Sequence, residues 1–260
     1  MRAELVLLLG AAIWGLGWMP LAHFAGLGIS GMPMVLYTFA LLSPPTLLVL
    51  WRQRRAWWPQ RGALLGIVLC GGWATAGLVG ALSEGDVVRS MLLFYLAPAW
   101  GLLGGWLLLG ERLDAVRVGA LLLALAGIAL TLGVDADTFA ALTGSDWLAL
   151  SAGFAFALNN LATRAAERVP LASKAMAAFL GSAALAALFC LAQGSSLPYA
   201  APAAWLQIAA FGLFWLTAMG AAQYGFSHVE ASRAAVLVVI ELLVSVLTAA
   251  AFGARELGIG

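Results

Sequence analysis

Residues 86–113 read DVVRSMLLFYLAPAWGLLGGWLLLGERL, with charges at Asp86 and Arg89, an apolar run about one bilayer long, Pro98 near its middle, and a charged exit at Glu111-Arg112. Residues 229–257, VEASRAAVLVVIELLVSVLTAAAFGAREL, repeat that plan in outline. Glu230 answers Asp86, Arg233 answers Arg89 at a spacing of 144, and a charged exit follows again. Such an echo is the signature of a chain built from two related halves.

Around these stretches the composition is that of an integral membrane protein. Of its 260 residues 63% are hydrophobic and 10% charged, against about 25% charged in soluble domains, and the mean hydropathy is +1.00. Formal net charge is +1, with no basic patch or tail, so nucleic acid is excluded as a partner. Cys70 and Cys190 both sit inside apolar segments, where a thiol packs as a small hydrophobe. The N-terminal run MRAELVLLLGAAIWGLG continues past the length of a signal-peptide core without a cleavage site, and reads as a first transmembrane helix that stays.

Windows of about 20 apolar residues predict helices near 4–24, 31–50, 62–83, 87–109 and 114–133, then near 146–165, 172–192, 203–224 and 231–252. The expected fold is all-α, a ten-helix plan of two inverted five-helix repeats with nine helices present. The first repeat covers residues 1–133; the second covers 146–260 with four helices, and the pairing predicts a tenth helix after Gly260. Loops on the N-terminal side carry eleven of the thirteen Lys and Arg residues, leaving Arg89 and Arg255 on the other side. The positive-inside rule therefore predicts a cytoplasmic N-terminus. An odd number of helices per half inserts the second half upside down, so Arg89 and Arg233 begin equivalent helices on opposite faces.

The residues resemble the drug/metabolite transporter superfamily, in particular its EamA-type members. The resemblance rests on Ile13-Trp14-Gly15, on FYLAPAW around Pro98, on Leu109-Gly110-Glu111-Arg112-Leu113, and on the apolar helix from Gly119 to Gly127. It implies a carrier of the cytoplasmic membrane with a central cavity between the halves, moving small metabolites or amino acids, commonly outward. This chain departs from the pattern at Leu242, where symmetry with Pro98 expects a proline, and at Ala254-Arg255-Glu256, which stands for Gly-Glu-Arg.

The candidate chemistry centres on Glu241, about ten residues into the ninth helix and so near the bilayer midplane, where an isolated charge costs several kcal/mol or more. One reading makes it a proton-coupling or cation-recognising carboxylate, with the proton as coupling ion. The other makes it a structural carboxylate bonded to a Tyr, Ser or Asn of a neighbouring helix. Asn159 and Asn160 lie well inside the sixth helix and need partners there. One reads as a substrate ligand and the other as an interhelical bond, and the sequence does not say which. Trp14, Trp18, Trp73 and Tyr95 offer aromatic faces to a substrate or pack as core. Pro98 is expected to kink the fourth helix and turn the carbonyl of Phe94 toward a cavity. Arg89 and Arg233 read as gates pairing with acidic neighbours, or as snorkelling ends.

An intramembrane enzyme would need a nucleophile with its base, paired aspartates or metal ligands, and HExxH, GxSxG and a second mid-membrane carboxylate are all missing from the sequence. No metal or cofactor is expected. The function expected is a secondary transporter of a neutral, zwitterionic or cationic small molecule in the lipid bilayer, working by alternating access as monomer or homodimer. An uncoupled facilitator or exchanger of the same fold is the alternative. Phosphorylated solutes are disfavoured because no Lys or Arg lies at cavity depth.

Overall fold

A chain this apolar must satisfy its backbone within each segment when it sits in lipid, and helices do so. The computed structural model describes residues 3–84, 87–113, 115–131, 142–194, 196–248 and 251–252, and among these residues all regular structure is helical. Arg2, Asp86, the segment 132–141 and the Arg255-Glu256 exit lie outside the described residues.

The first span is a pair, α1 (Ala3–Gly15) and α2 (Trp18–Gly26), and the second is α3 (Gly31–Leu41) with α4 (Ser43–Arg52). After a short α5 (Arg54–Trp57) and one 3-10 turn come α6 (Arg61–Glu84), the pair α7 (Val87–Phe94) and α8 (Ala97–Leu109), and α9 (Ala115–Thr131). The second half supplies α10 (Gly144–Ala165), α11 (Leu171–Ala192), α12 (Pro202–His228) and the pair α13 (Ala231–Leu237) and α14 (Ile240–Thr248). Five stretches are long and apolar enough to cross a membrane, and a sixth is the α3/α4 pair, bent by 47°. α10 has the length, at 22 residues, but carries Asp146, Asn159, Asn160 and Arg164. Its polarity is paid for by burial among other helices rather than by exposure to lipid.

Continuous helices were the expectation for the first, second and ninth spans, and the structure breaks all three. Gly15 and Gly17 flank the first break, and Pro44 and Pro45 follow the second. The ninth span breaks between Leu237 and Ile240, at the position equivalent to the gap between Phe94 and Ala97 in the fourth. No proline stands here, since Leu242 takes the place that symmetry with Pro98 expects a proline to fill. Instead the β-branched run Val238-Val239-Ile240, a poor helix former, tightens into i→i−3 bonds such as Glu241 N–H to Val238 O at 3.0 Å.

The halves interleave. α1 packs against α12 and α14, that is, against the third and fourth spans of the other half, and α10 packs in the same way against α6 and the α7/α8 pair. The two fourth spans meet where α8 lies on α13. Each half's first span thus lies against the broken fourth span of the other half.

Local chemistry pins the helix ends. Thr143 and Asp146 form a reciprocal capping box at the start of α10. The Glu111 carboxylate, in the loop after α8, accepts from Ala231 N–H at 2.6 Å and Ser232 N–H at 2.8 Å, satisfying two donors at the start of α13. Arg117 donates beside it to the Ser232 hydroxyl at 2.6 Å and pairs with Glu230. Glu111→Ala is expected to cost about 0.5–2 kcal/mol, the worth of a helix cap, read as a lowered Tm in detergent.

Lys174 is buried in the first turn of α11, where it donates to the Thr163 carbonyl at 2.9 Å and the Ser227 hydroxyl at 2.8 Å. Arg164 donates to the Ser227 carbonyl at 3.2 Å, and Thr163 to the Gln223 side chain at 2.8 Å. The C-terminal carbonyls of α10 and α12 thus stabilise two cations, as helix C-termini do. Lys174→Met leaves those acceptors buried and unpaired, and should cost ~1–3 kcal/mol of stability. A Tm equal to the wild type would sink that account.

Candidate functional site

The two central breaks bring together residues 146 apart in sequence. Tyr95, 5% exposed, stands in the gap between α7 and α8, and its hydroxyl lies 3.5 Å from Oε1 of Glu241 in the first turn of α14. Among the described residues no basic side chain pairs with Glu241. One turn on, Ser245 donates to the Gly15 carbonyl at 2.9 Å, and Thr248 accepts from the Trp18 indole at 2.9 Å. The polar stripe of α14 therefore faces the first span.

Glycine sets how closely the neighbouring helices approach these breaks. A Cβ on Gly15 would lie 2.5 Å from the Glu241 carbonyl oxygen, and one on Gly153 of α10 would lie 2.5 Å from the Phe94 carbonyl oxygen. Each half's first span lays a glycine against the break in the other half's fourth span. The carbonyl freed by Pro98 was expected to open to a cavity; it is covered by Gly153 instead. Pro98 itself sits in the first turn of α8, where its missing N–H costs no helix bond.

Below the break a cavity of about 10 Å³, room for about one water, lies between α8, α10 and α13 and is lined by Pro98, Gly101, Asn160, Ala235 and Val238 among others. This separates the two asparagines. Asn160 lines the cavity, whereas Asn159 is 4% exposed and turned toward Gly71 of α6, with its Oδ1 unpartnered and its amide donating to Asn160 Oδ1 at 3.2 Å. The tryptophans divide as well. Trp14 packs edge-on against Trp215 at 4.3 Å with its indole N–H buried and unpartnered. Trp73 donates to the Ser151 hydroxyl at 3.1 Å, joining α6 to α10, and Trp18 is engaged with Thr248. Glu241 and Tyr95 thus meet at the breaks, Asn160 and Pro98 line the cavity, Trp14 packs on Trp215, and Trp73 and Asn159 sit on the α6–α10 contact.

Both arginines at the span entrances have acidic partners. Arg89 Nε lies 2.9 Å from Asp146 Oδ1, and Arg233 Nη1 lies 3.1 Å from Glu4 Oε1. Asp146 and Glu4 were not singled out from the sequence. The signal was there, since each is an acid in the first turn of the first span of its half, 142 positions apart. Among the described residues no group of His, Cys, Asp and Glu could hold a metal ion, and His23 and His228 bond instead to Gln207 and the Tyr224 carbonyl.

The model of the EamA-like transporter family matches residues 1–133. A solved crystal structure of a protein superposes at a TM-score of 0.75 with 22% identity, covering 96% of this chain and 88% of the other, a likeness of fold. No curated protein matches.

Proposed function

This chain belongs to the EamA-like transporter family, within the drug/metabolite transporter superfamily, and from that premise we propose that it carries a small organic solute by alternating access between two inverted repeats, residues 1–133 and 146–260. Members of the family are transporters that bind small molecules in a lipid bilayer, and the chain is an integral membrane protein. The observation that carries the finer reading is the meeting of Tyr95 and Glu241 at the paired breaks of two equivalent helices. A broken helix at membrane depth presents backbone and side-chain polar groups where a cavity or a ligand can use them.

The solute is a neutral, zwitterionic or cationic metabolite such as an amino acid. Glu241 supplies negative charge, Asn160 supplies both donor and acceptor, and Tyr95 with Trp14 supplies aromatic faces. Trp18, Trp73 and Asn159 hold the surrounding helices in place, and Pro98 ends the break in the fourth span. Transport is outward across the cytoplasmic membrane, with the N-terminus cytoplasmic and a proton carried on Glu241 as the coupling ion.

The test is reconstitution in proteoliposomes loaded with a pH-sensitive dye, followed by a panel of amino acids, amines and neutral metabolites. One class of solute is expected to drive proton movement. Solute exchange without proton movement would leave a facilitator and end the coupling proposal; no flux of any class would end the substrate proposal.

A further inference from the structure

The pairs Arg89–Asp146 and Arg233–Glu4 are one contact made twice. Arg233 follows Arg89 by 144 positions and Asp146 follows Glu4 by 142. In each, the arginine near the start of one half's fourth span reaches the acid in the first turn of the other half's first span.

The two contacts sit at opposite ends of the bundle. The first span, α1 with α2, runs antiparallel to α12, since Gly225 of α12 meets Leu7 of α1 while Phe211 packs on Phe24 of α2. The finishing end of α12 in turn meets the finishing end of α10, where Thr163 bonds Gln223 and Arg164 bonds Ser227. The start of α1, with Glu4, is therefore at the finishing end of α10, a full helix length from Asp146.

Their burial is unequal. The side chains of Arg89 and Asp146 are 18% and 3% exposed, those of Arg233 and Glu4 56% and 30%. Asp146 is also held in place by Thr143, whose N–H and hydroxyl both donate to Oδ2, at 2.6 and 2.8 Å. One ion pair is largely buried, and the other stands open to solvent.

We propose that Arg89–Asp146 and Arg233–Glu4 are the two latches of the transport cycle, each tying a half's fourth span to the other half's first span at one end of the bundle, and released in turn. The proposal rests on the transporter reading and adds Asp146 and Glu4 to it. Because the breaks at Tyr95 and at Val238-Val239 lie between the latches, releasing one latch lets a half-helix swing while the other stays closed. The deeper Arg89–Asp146 latch biases the protein toward states closed at that end.

The experiment measures opening without needing a substrate. In purified protein carrying Cys70→Ser and Cys190→Ser, single cysteines are placed at the equivalent positions Met91→Cys, near Arg89, and Ala235→Cys, near Arg233. Maleimide labelling rates are then read in detergent, where both ends meet the reagent. Arg89→Gln is expected to raise labelling at position 91 and lower it at 235, by roughly fivefold or more, the low end of site-to-site coupling. Arg233→Gln should do the reverse, and Arg89→Lys should restore the wild-type ratio.

Opposite signs are what mere loosening cannot produce. If both variants change both sites in the same direction, or change neither, the latches are only structural. Should Arg89→Gln fail to fold, Arg233→Gln decides alone: labelling at 235 must rise while labelling at 91 falls. A labelling shift without solute flux would keep the latches and sink the substrate reading, so the two failures are distinguishable.

Discussion

Glu241→Gln is expected to abolish solute-driven proton movement in proteoliposomes while leaving the folded protein intact. Glutamine keeps the shape of the side chain and an oxygen that can accept from Tyr95, so the contact at 3.5 Å survives the substitution. What it removes is the capacity to carry a proton. Glu241 is the only acidic residue that the sequence puts at mid-helix depth in any span, so no neighbour can take over that step. The expected loss is on the order of 100-fold or more in coupled flux, the scale of removing a positioned proton carrier. Stability should change by less than about 1 kcal/mol, since the substituted side chain still accepts from Tyr95 at the same site. Unchanged flux with an unchanged pH profile would return Glu241 to a purely structural role.

Gly181→Leu is expected to prevent folding altogether. α6 and α11 cross with their backbones in contact: a Cβ at Gly181 would collide with the Val68 carbonyl oxygen, and one at Gly72 would lie 2.5 Å from the Gly181 carbonyl carbon. Backbone cannot turn aside as a side chain can. Even Gly181→Ala must push the helices apart, at a cost of ~1–3 kcal/mol or more, and leucine must separate them along the whole crossing. That crossing anchors the core in which Ile67, Ala178 and Phe179 are buried. Size-exclusion chromatography in detergent should show the loss of the monodisperse peak for Gly181→Leu and a lowered Tm for Gly181→Ala. Gly66→Ala on the same helix is the control, because its Cβ would meet only the Ala162 methyl at an ordinary 3.5 Å. A folded Gly181→Leu protein would mean that the helices do not cross here.

Most of the architecture was legible in the sequence. The apolar windows placed the helices to within a few residues, and the echo between residues 86–113 and 229–257 paired the two helices that the structure breaks at matching places. The GxxxG of residues 101–105 packs inside the chain, since a Cβ on Gly101 would meet Ala235 at 2.9 Å and one on Gly105 would meet the Glu111 carboxylate at 2.7 Å. Pro98 also marked the neighbourhood of the break in the fourth span. The ninth span breaks without a proline, since Leu242 stands at the matching position. There a run of β-branched residues and the close approach of Gly15 do by packing what proline does covalently in the other half.

The all-helical, membrane-embedded class and the approximate placement of the helices follow from the sequence by itself, because transfer into lipid is a property of each residue and adds up locally along the chain. Which polar groups meet was decided only by tertiary structure: Tyr95 with Glu241, Arg89 with Asp146, Arg233 with Glu4, and Asn160 rather than Asn159 at the cavity. Those pairings depend on how far each helix is rotated about its axis and on how closely glycines let its neighbours approach. Both are set by contacts between segments a hundred or more residues apart, and no local window of sequence contains them.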